Sequence, residues 1–418
     1  MKIFLPIFTL ICTAFYFNAA AQELHCGTDI KMQEQLTADS EFGLRRAAIE
    51  ESTQRWLEEH YDENVGRAVV TIPVVVHVVY STTSQNLTEA QIQSQIDVLN
   101  EDYSGTNADV SGVPSVWTSL VANSEIQFQL ANNDPDDNFT NGITRTETTV
   151  TNWNGSDDVK YTALGGHDAW PAASYLNIWV CNIGGGLLGY AYQPGINPQL
   201  DGVVIGYRYF GVDSQSATYD LGRTATHEIG HYFNLDHLWG PGGVNTNCNA
   251  SDFISDTPVQ LEPNYGCNTN FPSVSCSNGP NGDMFNNYMD YGNDECLFFF
   301  TNGQKSRMLS ALNGARSSLL DSDGLSNPDG IEDAILASSI QVYPNPSSEF
   351  VYIQSDRVDQ AKTNLIIRDI TGRIVFSQSN VQLSHAAYSI NVSILSKGTY
   401  VIEVLTENAR LSKKINIL

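Results

Sequence analysis

Basic residues are scarce in this chain. Its 418 residues include 21 lysines and arginines against 47 aspartates and glutamates, which gives a net charge of −26. Nucleic acids and anionic membrane surfaces bind proteins through basic patches, so the composition excludes both as principal partners. The acidity alone indicates no particular substrate.

Long hydrophobic runs are also missing after the N-terminus, which excludes a transmembrane anchor in the rest of the chain. Residues 1–21 combine the basic Lys2, an apolar stretch and a run of alanines, the pattern of a secretory signal peptide. Cys12 lies inside the apolar stretch and lacks the small preceding residue that lipidation would require. With 41% hydrophobic and 16% charged residues, the exported chain is expected to be globular.

Changes in composition divide the rest of the chain into four segments. Residues 22–67 are polar and charge-rich, as expected of a removable pro-segment. Residues 68–322 show interleaved strand and helix patterns, which predict the main globular domain of the chain. Residues 323–337 are acidic with Gly and Pro, which indicates a linker. Residues 338–418 carry eight basic and six acidic side chains and short alternating strands, which predicts a separate small β-sandwich.

The pattern of the second segment predicts an α+β domain. Residues 71–80 are almost continuously β-branched, as in a strand covered on both faces. Residues 239–300 are rich in Asn, Gly, Pro and Asp, so the lower half of the domain is expected to consist of loops. Helix starts are predicted at two capping boxes: Thr88 with Gln91, and Thr301 with Gln304, the second opening a helix that extends to Leu320. The expected architecture is a mixed twisted sheet with backing helices.

The strongest chemical signal is the sequence HEIGHYFNLDH, which begins at His227. On a helix, His227 and His231 lie on the same face, so both imidazoles can reach one metal ion with Glu228 beside them. His237 can add a third nitrogen only if the chain turns sharply after the helix. Asn234 tolerates the left-handed backbone that such a turn needs. Three protein nitrogens with a fourth position for water are typical of a catalytic zinc site.

Two other interpretations of these histidines are open. Chance clustering would give three histidines at this spacing in about three chains in a thousand. In a thermolysin-like site, the third ligand would be an acidic residue further along the chain, for which Asp252 and Asp256 are candidates by distance. These two aspartates lie in a predicted loop, whereas that kind of site takes its acidic ligand from a helix.

The motif resembles the metzincin consensus HExxHxxGxxH, and its setting is similar to that of the pappalysin family within that clan. It differs at Asn234, where most metzincins have glycine. The sequence NYMDY at 287–291 resembles the Met-turn, whose methionine, here Met289, forms an apolar floor beneath the zinc. Tyr291 resembles the family tyrosine whose hydroxyl stabilises the tetrahedral intermediate. The resemblance implies a metzincin-like zinc protease domain followed by a small immunoglobulin-like sandwich.

The implied activity is that of a secreted zinc metalloendopeptidase. Zinc would lower the pKa of its bound water and polarise the scissile carbonyl, while Glu228 would take a proton from the water and pass it to the leaving amine. A protein or peptide substrate would lie extended along the predicted edge strand at 187–192. Two alternatives are a non-catalytic surface adhesin and a metal-sequestering protein on a protease scaffold.

The cysteines suggest crosslinks and a latch. Within the protease domain, the family resemblance implies two disulfides: Cys248 with Cys276, and Cys267 with Cys296. Cys26 of the pro-segment resembles a cysteine switch, whose thiolate binds the zinc until the segment is cut away. The alternative is a disulfide from Cys26 to Cys181, which is otherwise expected to be a buried free thiol.

Hard oxygen donors follow the zinc motif and suggest a calcium site. Pappalysins often bind calcium in this region, and carboxylate, hydroxyl and amide oxygens are the ligands that calcium prefers. Simple capping of loops by these side chains is the alternative. The candidate ligands are Asp252, Asp256, Thr257 and Gln260.

Two acidic residues just after the Met-turn suggest a preference for basic substrates. Asp294 and Glu295 are predicted to lie under the pocket for the residue that follows the scissile bond. There they would attract Arg or Lys, as in some members of the family.

Four short motifs mark the C-terminal segment: YPNPS at 343–347, DITGR at 369–373, GTYV at 398–401, and the pair Lys413-Lys414. Together they resemble the sorting domain recognised by type IX secretion. The resemblance implies interaction with the secretion machinery, export through the periplasm of a Gram-negative bacterium, and release or anchoring at the cell surface. An adhesive or carbohydrate-binding sandwich is the alternative.

Overall fold

The structure is a computed structural model that describes residues 24–60, 69–243, 247–268, 270–326, 331–356, 363–406 and 409–418. The predicted signal peptide at 1–21 lies outside these residues. Among the described helices, none is both long and apolar enough to cross a bilayer. The chain forms two compact units: Met1–Phe128 with Thr144–Leu320, and Gln129–Ile143 with Asp321–Leu418.

The larger sheet has seven strands in the order β1-β6-β7-β5-β2-β3, with β4 paired to β2. Strands β2, β5 and β7 pair in parallel, whereas β6 is antiparallel to β7. The Val- and Ile-rich sequences of β5 and β7 are buried throughout, as expected for strands covered on both faces. The strands are β1 (Leu24–Cys26), β2 (Val70–Tyr80), β3 (Ile126–Leu130), β4 (Ile143–Glu147), β5 (Leu176–Cys181), β6 (Leu187–Ala191) and β7 (Val203–Gly206).

Within the described residues, five α-helices accompany this sheet: α1 (Thr28–Ala38), α2 (Phe42–Glu59), α3 (Glu89–Ser104), α4 (Arg223–Tyr232) and α5 (Asn302–Asn313). The capping box of Thr301 and Gln304 at α5 is complete. At α3 only half of the predicted box forms, because the Gln91 side chain donates to the carbonyls of Phe210 and Val212 instead. Helix α5 is also shorter than predicted and ends before Gly314, a residue with low helix propensity.

The predicted pro-segment is part of the first unit. Its strand β1 forms an outer strand of the large sheet, and α1 and α2 follow it. Phe42, the first residue of α2, is fully buried in one core cluster with Trp179 and Tyr190. Although its composition is polar, the segment therefore contributes an anchor to the hydrophobic core.

Disulfides crosslink the loop-rich part between α4 and α5. They join Cys248 to Cys276 and Cys267 to Cys296, the pairing that the family resemblance implied. The two closed loops overlap in sequence, so each bridge restrains part of the other loop.

The second unit is built around two antiparallel sheets, with strand orders β11-β10-β13-β14 and β12-β9-β8. Ile353, Leu365 and Ile402 are fully buried in their shared core. Part of the predicted linker is helical instead, because Leu336 of α6 packs against this core. The elements are α6 (Ile331–Ser339), β8 (Ile340–Tyr343), β9 (Phe350–Ser355), β10 (Thr363–Asp369), β11 (Ile374–Val381), β12 (Tyr388–Asn391), β13 (Gly398–Leu405) and β14 (Arg410–Ile417).

Candidate metal centre

Helix α4 carries the first two histidines and ends in a sharp turn. Asn234 has the left-handed backbone that the sequence predicted, with φ of 73°. The amide of Leu235 donates to the carbonyl of Gly230 at 3.0 Å, which closes the helix end. This reversal brings His237 back beside His231.

The three imidazoles converge on one point. The Nε2 atom of His231 lies 3.2 Å from that of His227 and 3.1 Å from that of His237. Tetrahedral zinc with bonds of about 2.0–2.1 Å to nitrogen needs its ligands roughly 3.3–3.4 Å apart. The donor set therefore fits a zinc ion, and Cys26 Sγ belongs to the same group of atoms, all within 4.8 Å of one another.

Each histidine is held through its other ring nitrogen. His227 Nδ1 lies 2.7 Å from the carbonyl oxygen of Tyr288, and His231 Nδ1 lies 2.8 Å from that of Leu235. A carbonyl can only accept, so Nδ1 carries the proton and Nε2 keeps its lone pair for a metal. Burial lowers the pKa of His231 to about 3 and lowers the pKa of His227 well below its usual value, which keeps both rings neutral.

The predicted Met-turn packs against α4. Met289 is fully buried, and its sulfur is 2.5 Å from the position that a β-carbon on Gly230 would take. A larger residue than glycine at 230 would therefore displace the methionine. The same turn supplies the Tyr288 carbonyl that orients His227, so its backbone contributes to the metal centre as well as its side chain.

Pro-segment strand β1 crosses the centre along β6. The two strands pair in parallel, with Cys26 opposite Gly189, and Gly27 N donates to Gly189 O at 2.9 Å. Cys26 and Cys181 are both free and buried, so the alternative disulfide between them does not form. Burial and the neighbouring Glu228 raise the pKa of the Cys26 thiol, so binding as a thiolate would require the positive charge of a metal.

Glu228 lies under this strand. Its Oε2 accepts a hydrogen bond from Thr28 Oγ1 at 3.0 Å and lies 3.4 Å from Cys26 Sγ. Burial raises the pKa of Glu228 to about 8. A carboxylate that takes and returns a proton near neutral pH is most effective when its pKa is close to that pH.

Comparisons with known proteins agree with this geometry. The family described as Pregnancy-associated plasma protein-A matches residues 161–313, and the Secretion system C-terminal sorting domain matches residues 341–418. An extracellular metalloprotease of Pyricularia oryzae is 32% identical over 315 residues, which span 73% of this chain and 94% of the relative. The chain belongs to the Pregnancy-associated plasma protein-A family.

Solved structures support the same assignment. Tannerella forsythia mature mirolysin, in complex with a cleaved peptide, is 48% identical with a TM-score of 0.59, over 61% of this chain and 97% of that one. A Tannerella forsythia promirolysin mutant is 43% identical with a TM-score of 0.66, over 73% of this chain and all of that one. The predicted pappalysin-type metalloendopeptidase, made as a precursor and secreted or displayed at the surface, is confirmed.

In this metalloprotease, a histidine of the pro-segment lines a cavity beside the metal centre. The His25 ring stacks on Tyr291, with centroids 5.3 Å apart, and its Nε2 lies 3.2 Å from the Tyr219 hydroxyl. The Tyr291 ring also lies 5.0 Å from that of His237. A residual cavity of about 30 Å³ remains, and Asp294 is among the residues that line it.

The two acidic residues predicted for the specificity pocket have different environments in the structure. Asp294 is buried, and its Oδ2 accepts from the amides of Leu221 and Arg223 at 2.9 and 3.2 Å. Glu295 is exposed and does not line the cavity. The two side chains differ because they lie on one 3-10 turn, where successive side chains point about 120° apart.

The candidate calcium ligands have different partners. Both oxygens of Asp252 accept from the Thr257 hydroxyl, at 2.9 and 2.7 Å. Asp256 instead accepts from Thr301 Oγ1 and Gly303 N at the start of α5, which is the capping alternative. Gln260 donates to Asp290 of the Met-turn. Neither Asp252 nor Asp256 belongs to the metal cluster found among the described residues, so the thermolysin-like alternative is not supported.

Sequence reasoning missed contacts made by the pro-segment. Asp29 Oδ2 lies 3.0 Å from His237 Nδ1, and Asp29 Oδ1 accepts from Gly242 N at 3.2 Å. Thr28 reaches Glu228. The sequence did contain a signal, since both residues lie within three positions of Cys26. If Cys26 is fixed at the metal, the residues that follow it must lie near the other ligands.

Proposed function

We propose that the metal is zinc, held by His227, His231 and His237, and that Glu228 is the general base of peptide-bond hydrolysis. The convergence of the three Nε2 atoms, each ring with its Nδ1 already hydrogen-bonded, carries this proposal. When bound, zinc supplies a Lewis acid that polarises the scissile carbonyl and makes water acidic.

The protein side chains would move the protons and stabilise charge. Glu228 would accept a proton from water and donate it to the leaving amine, a role that its pKa of about 8 supports. Tyr291 would donate its hydroxyl proton as a hydrogen bond to the developing oxyanion, supported by the position of its ring beside His227 and His237. Met289 would keep the floor of the centre apolar.

The substrate would take the place of the pro-segment on β6. Main-chain hydrogen bonds to Gly189 are already used by β1 in the precursor, which supports a binding site for an extended peptide. Gly189 lies close over Glu228, since a β-carbon there would be 2.9 Å from Glu228 Cγ. The scissile bond could therefore approach the base closely.

Removing the metal tests the proposal. A strong zinc chelator should lower the cleavage of a denatured protein by roughly a hundredfold or more, because the Lewis acid contributes several kcal/mol to catalysis. Stoichiometric zinc should restore the rate, as measured by release of labelled peptides. Full activity in protein shown by metal analysis to contain no zinc would contradict it.

We also propose that Asp294 gives a preference for Arg or Lys after the scissile bond. In support, Asp294 and the pro-segment residue His25, which precedes Cys26, line the same cavity. In a peptide library, Asp294→Asn should lower the ratio of basic to neutral cleavage by roughly thirtyfold, since losing a buried charge partner costs about 2 kcal/mol or more. Glu295→Gln is the control and should leave the profile unchanged. A wild-type profile without basic preference would refute this idea.

We further propose calcium at Asp252 and Thr257. Burial raises the pKa of Asp252 to about 7, and a calcium ion would stabilise its charge. Calcium should then raise the melting temperature by roughly 3–6 °C at saturating concentration. Asp252→Asn should abolish this shift. Asp256→Asn should lower the stability of the protein but leave the calcium-dependent shift unchanged. An unchanged melting temperature at millimolar calcium would argue against the site.

We also propose boundaries for the segments of the chain and a route for its export. We infer that the pro-segment ends near residue 67, that the protease domain spans 68–322, and that 338–418 directs export. The match of the sorting domain to residues 341–418 supports a periplasmic route in a Gram-negative bacterium and engagement of type IX machinery. A mass spectrum of the secreted form would give its actual ends.

A further inference from the structure

We propose that Arg307 of α5 is a positioning residue for the third metal ligand, because it holds the turn at Asn234 that brings His237 to the metal. Its Nε donates to the main-chain oxygen of Asn234 at 2.7 Å, and its side chain is completely buried. The proposal rests on the zinc site proposed above and names a residue outside the HEIGHYFNLDH motif.

The turn needs support from outside itself. Asn234 has φ of 73°, a conformation that costs a residue other than glycine about 1 kcal/mol or more. Its side chain does little to secure the turn, because Oδ1 has no hydrogen-bond partner among the described residues and Nδ2 only approaches Thr53 Oγ1 at 3.4 Å. The Asn234 carbonyl, by contrast, has a charged and rigid donor in Arg307.

A second contact reaches the segment from Asn234 to His237, which we call the His237 arm. Arg307 Nη2 lies 3.5 Å from Asp236 Oδ2, and Asp236 directly precedes His237. Asp236 Oδ1 in turn accepts from Gln193 Nε2 at 2.7 Å. The guanidinium therefore contacts the residues on either side of Leu235, which are Asn234 and Asp236.

The two Nη atoms of Arg307 also contact the pro-segment. Nη1 and Nη2 donate to the two carboxylate oxygens of Glu50 on α2, at 2.8 and 2.6 Å. When the pro-segment leaves, Glu50 leaves with it, but Asn234 and Asp236 belong to the protease domain. The support of the His237 arm is therefore expected to persist in the mature enzyme.

Arg316 provides a matched control. It is 4% exposed, its Nε donates to the carbonyl of Tyr232 at 2.6 Å, and its Nη atoms bind both oxygens of Asp201 at 2.7 and 2.9 Å. Like Arg307, it is a buried arginine that bonds the backbone near the end of α4. Its contact lies before the turn, however, and not on the arm that carries His237.

The test measures zinc affinity of the full-length precursor by competition with a chromogenic chelator. Arg307→Lys and Arg307→Met should weaken zinc binding roughly tenfold or more, the usual cost of losing a residue that orients a metal ligand. Arg316→Lys should stay within about threefold of wild type although it also lowers the melting temperature. After activation, Arg307→Lys should lower kcat roughly tenfold with KM within about twofold, because the substrate-binding strand is untouched.

Two further variants separate positioning from general stability. Asn234→Gly removes the conformational cost of the turn, so it should recover part of the zinc affinity lost in Arg307→Lys. Glu50→Gln leaves the bond from Arg307 to Asn234 in place and should keep wild-type affinity. A loss in Glu50→Gln equal to that in Arg307→Lys would overturn the proposal.

The other outcomes are equally decisive. If Arg307→Lys has wild-type zinc affinity but a lower melting temperature, Arg307 has only a packing role. This result would overturn the inference about Arg307 and leave the proposed function intact. Failure of both Arg307 variants to fold in excess zinc, while Arg316→Lys folds, would assign Arg307 to the fold and also overturn it. A wild-type chain that binds no zinc would instead refute the proposed function.

Discussion

Replacing Glu228 with glutamine is expected to slow cleavage of a denatured protein roughly a thousandfold, within the 10²–10⁴-fold that a positioned general base contributes. Glutamine keeps the size of the side chain but cannot accept a proton from water. Its amide can still contact Thr28, which holds Glu228 in the precursor. The rate should be measured on the activated enzyme with a labelled casein-like substrate.

Zinc content is the control for this experiment. Because Glu228 is not a ligand in the proposed site, Glu228→Gln and Glu228→Ala should both retain one zinc per chain. Lost activity with retained metal would support the role of the base. Equal activity in wild type and variants would refute it, and a wild type that binds zinc without cleaving any protein would instead favour the metal-sequestering alternative.

Replacing Cys26 with alanine should reduce the latency of the precursor. Cys26 Sγ is within 4.8 Å of the three histidine nitrogens, so its removal opens the position that water must take. We expect precursor activity to rise roughly tenfold or more, because a sulfur ligand displaces water from zinc. Contacts from Asp29 and Glu50 remain, so the segment should still delay full activity until it is cut.

Cys181→Ala is the matched control, since Cys181, on β5, is the other free buried cysteine in the part of the chain that the structure describes. It should leave latency unchanged. Counting thiols in the denatured, metal-free precursor should give two free groups, and one after the pro-segment has gone. No free thiol in the precursor would restore the disulfide alternative, and an unchanged precursor rate in Cys26→Ala would exclude the latch.

Elements set by local sequence were predicted well. The buried β-branched strand at 71–80, the box of Thr301 and Gln304, and the turn at Asn234 each depend on residues within a few positions of one another. The half-formed box at α3 shows the limit of this reasoning. Gln91 bonds carbonyls more than a hundred positions away, a competing partner that no local pattern reveals.

The candidate site divides in the same way. Spacing placed the three histidines correctly beside one another, since a helix and one turn connect them. It did not separate Asp294 from Glu295, because the direction of each side chain depends on where the 3-10 turn docks under α4. Nor did it find Asp29 or Arg307, whose partners lie 208 and 73 positions away in the chain.

The amino-acid sequence by itself determined the family and the export tail and predicted that three histidines converge, because these follow from short motifs whose geometry is local. Only the tertiary structure decided which groups orient the three histidine rings, which acidic residue lines the cavity, and how the pro-segment contacts His237. Those contacts join distant segments, and their pairing is fixed by how the helices and loops pack around the buried sheet.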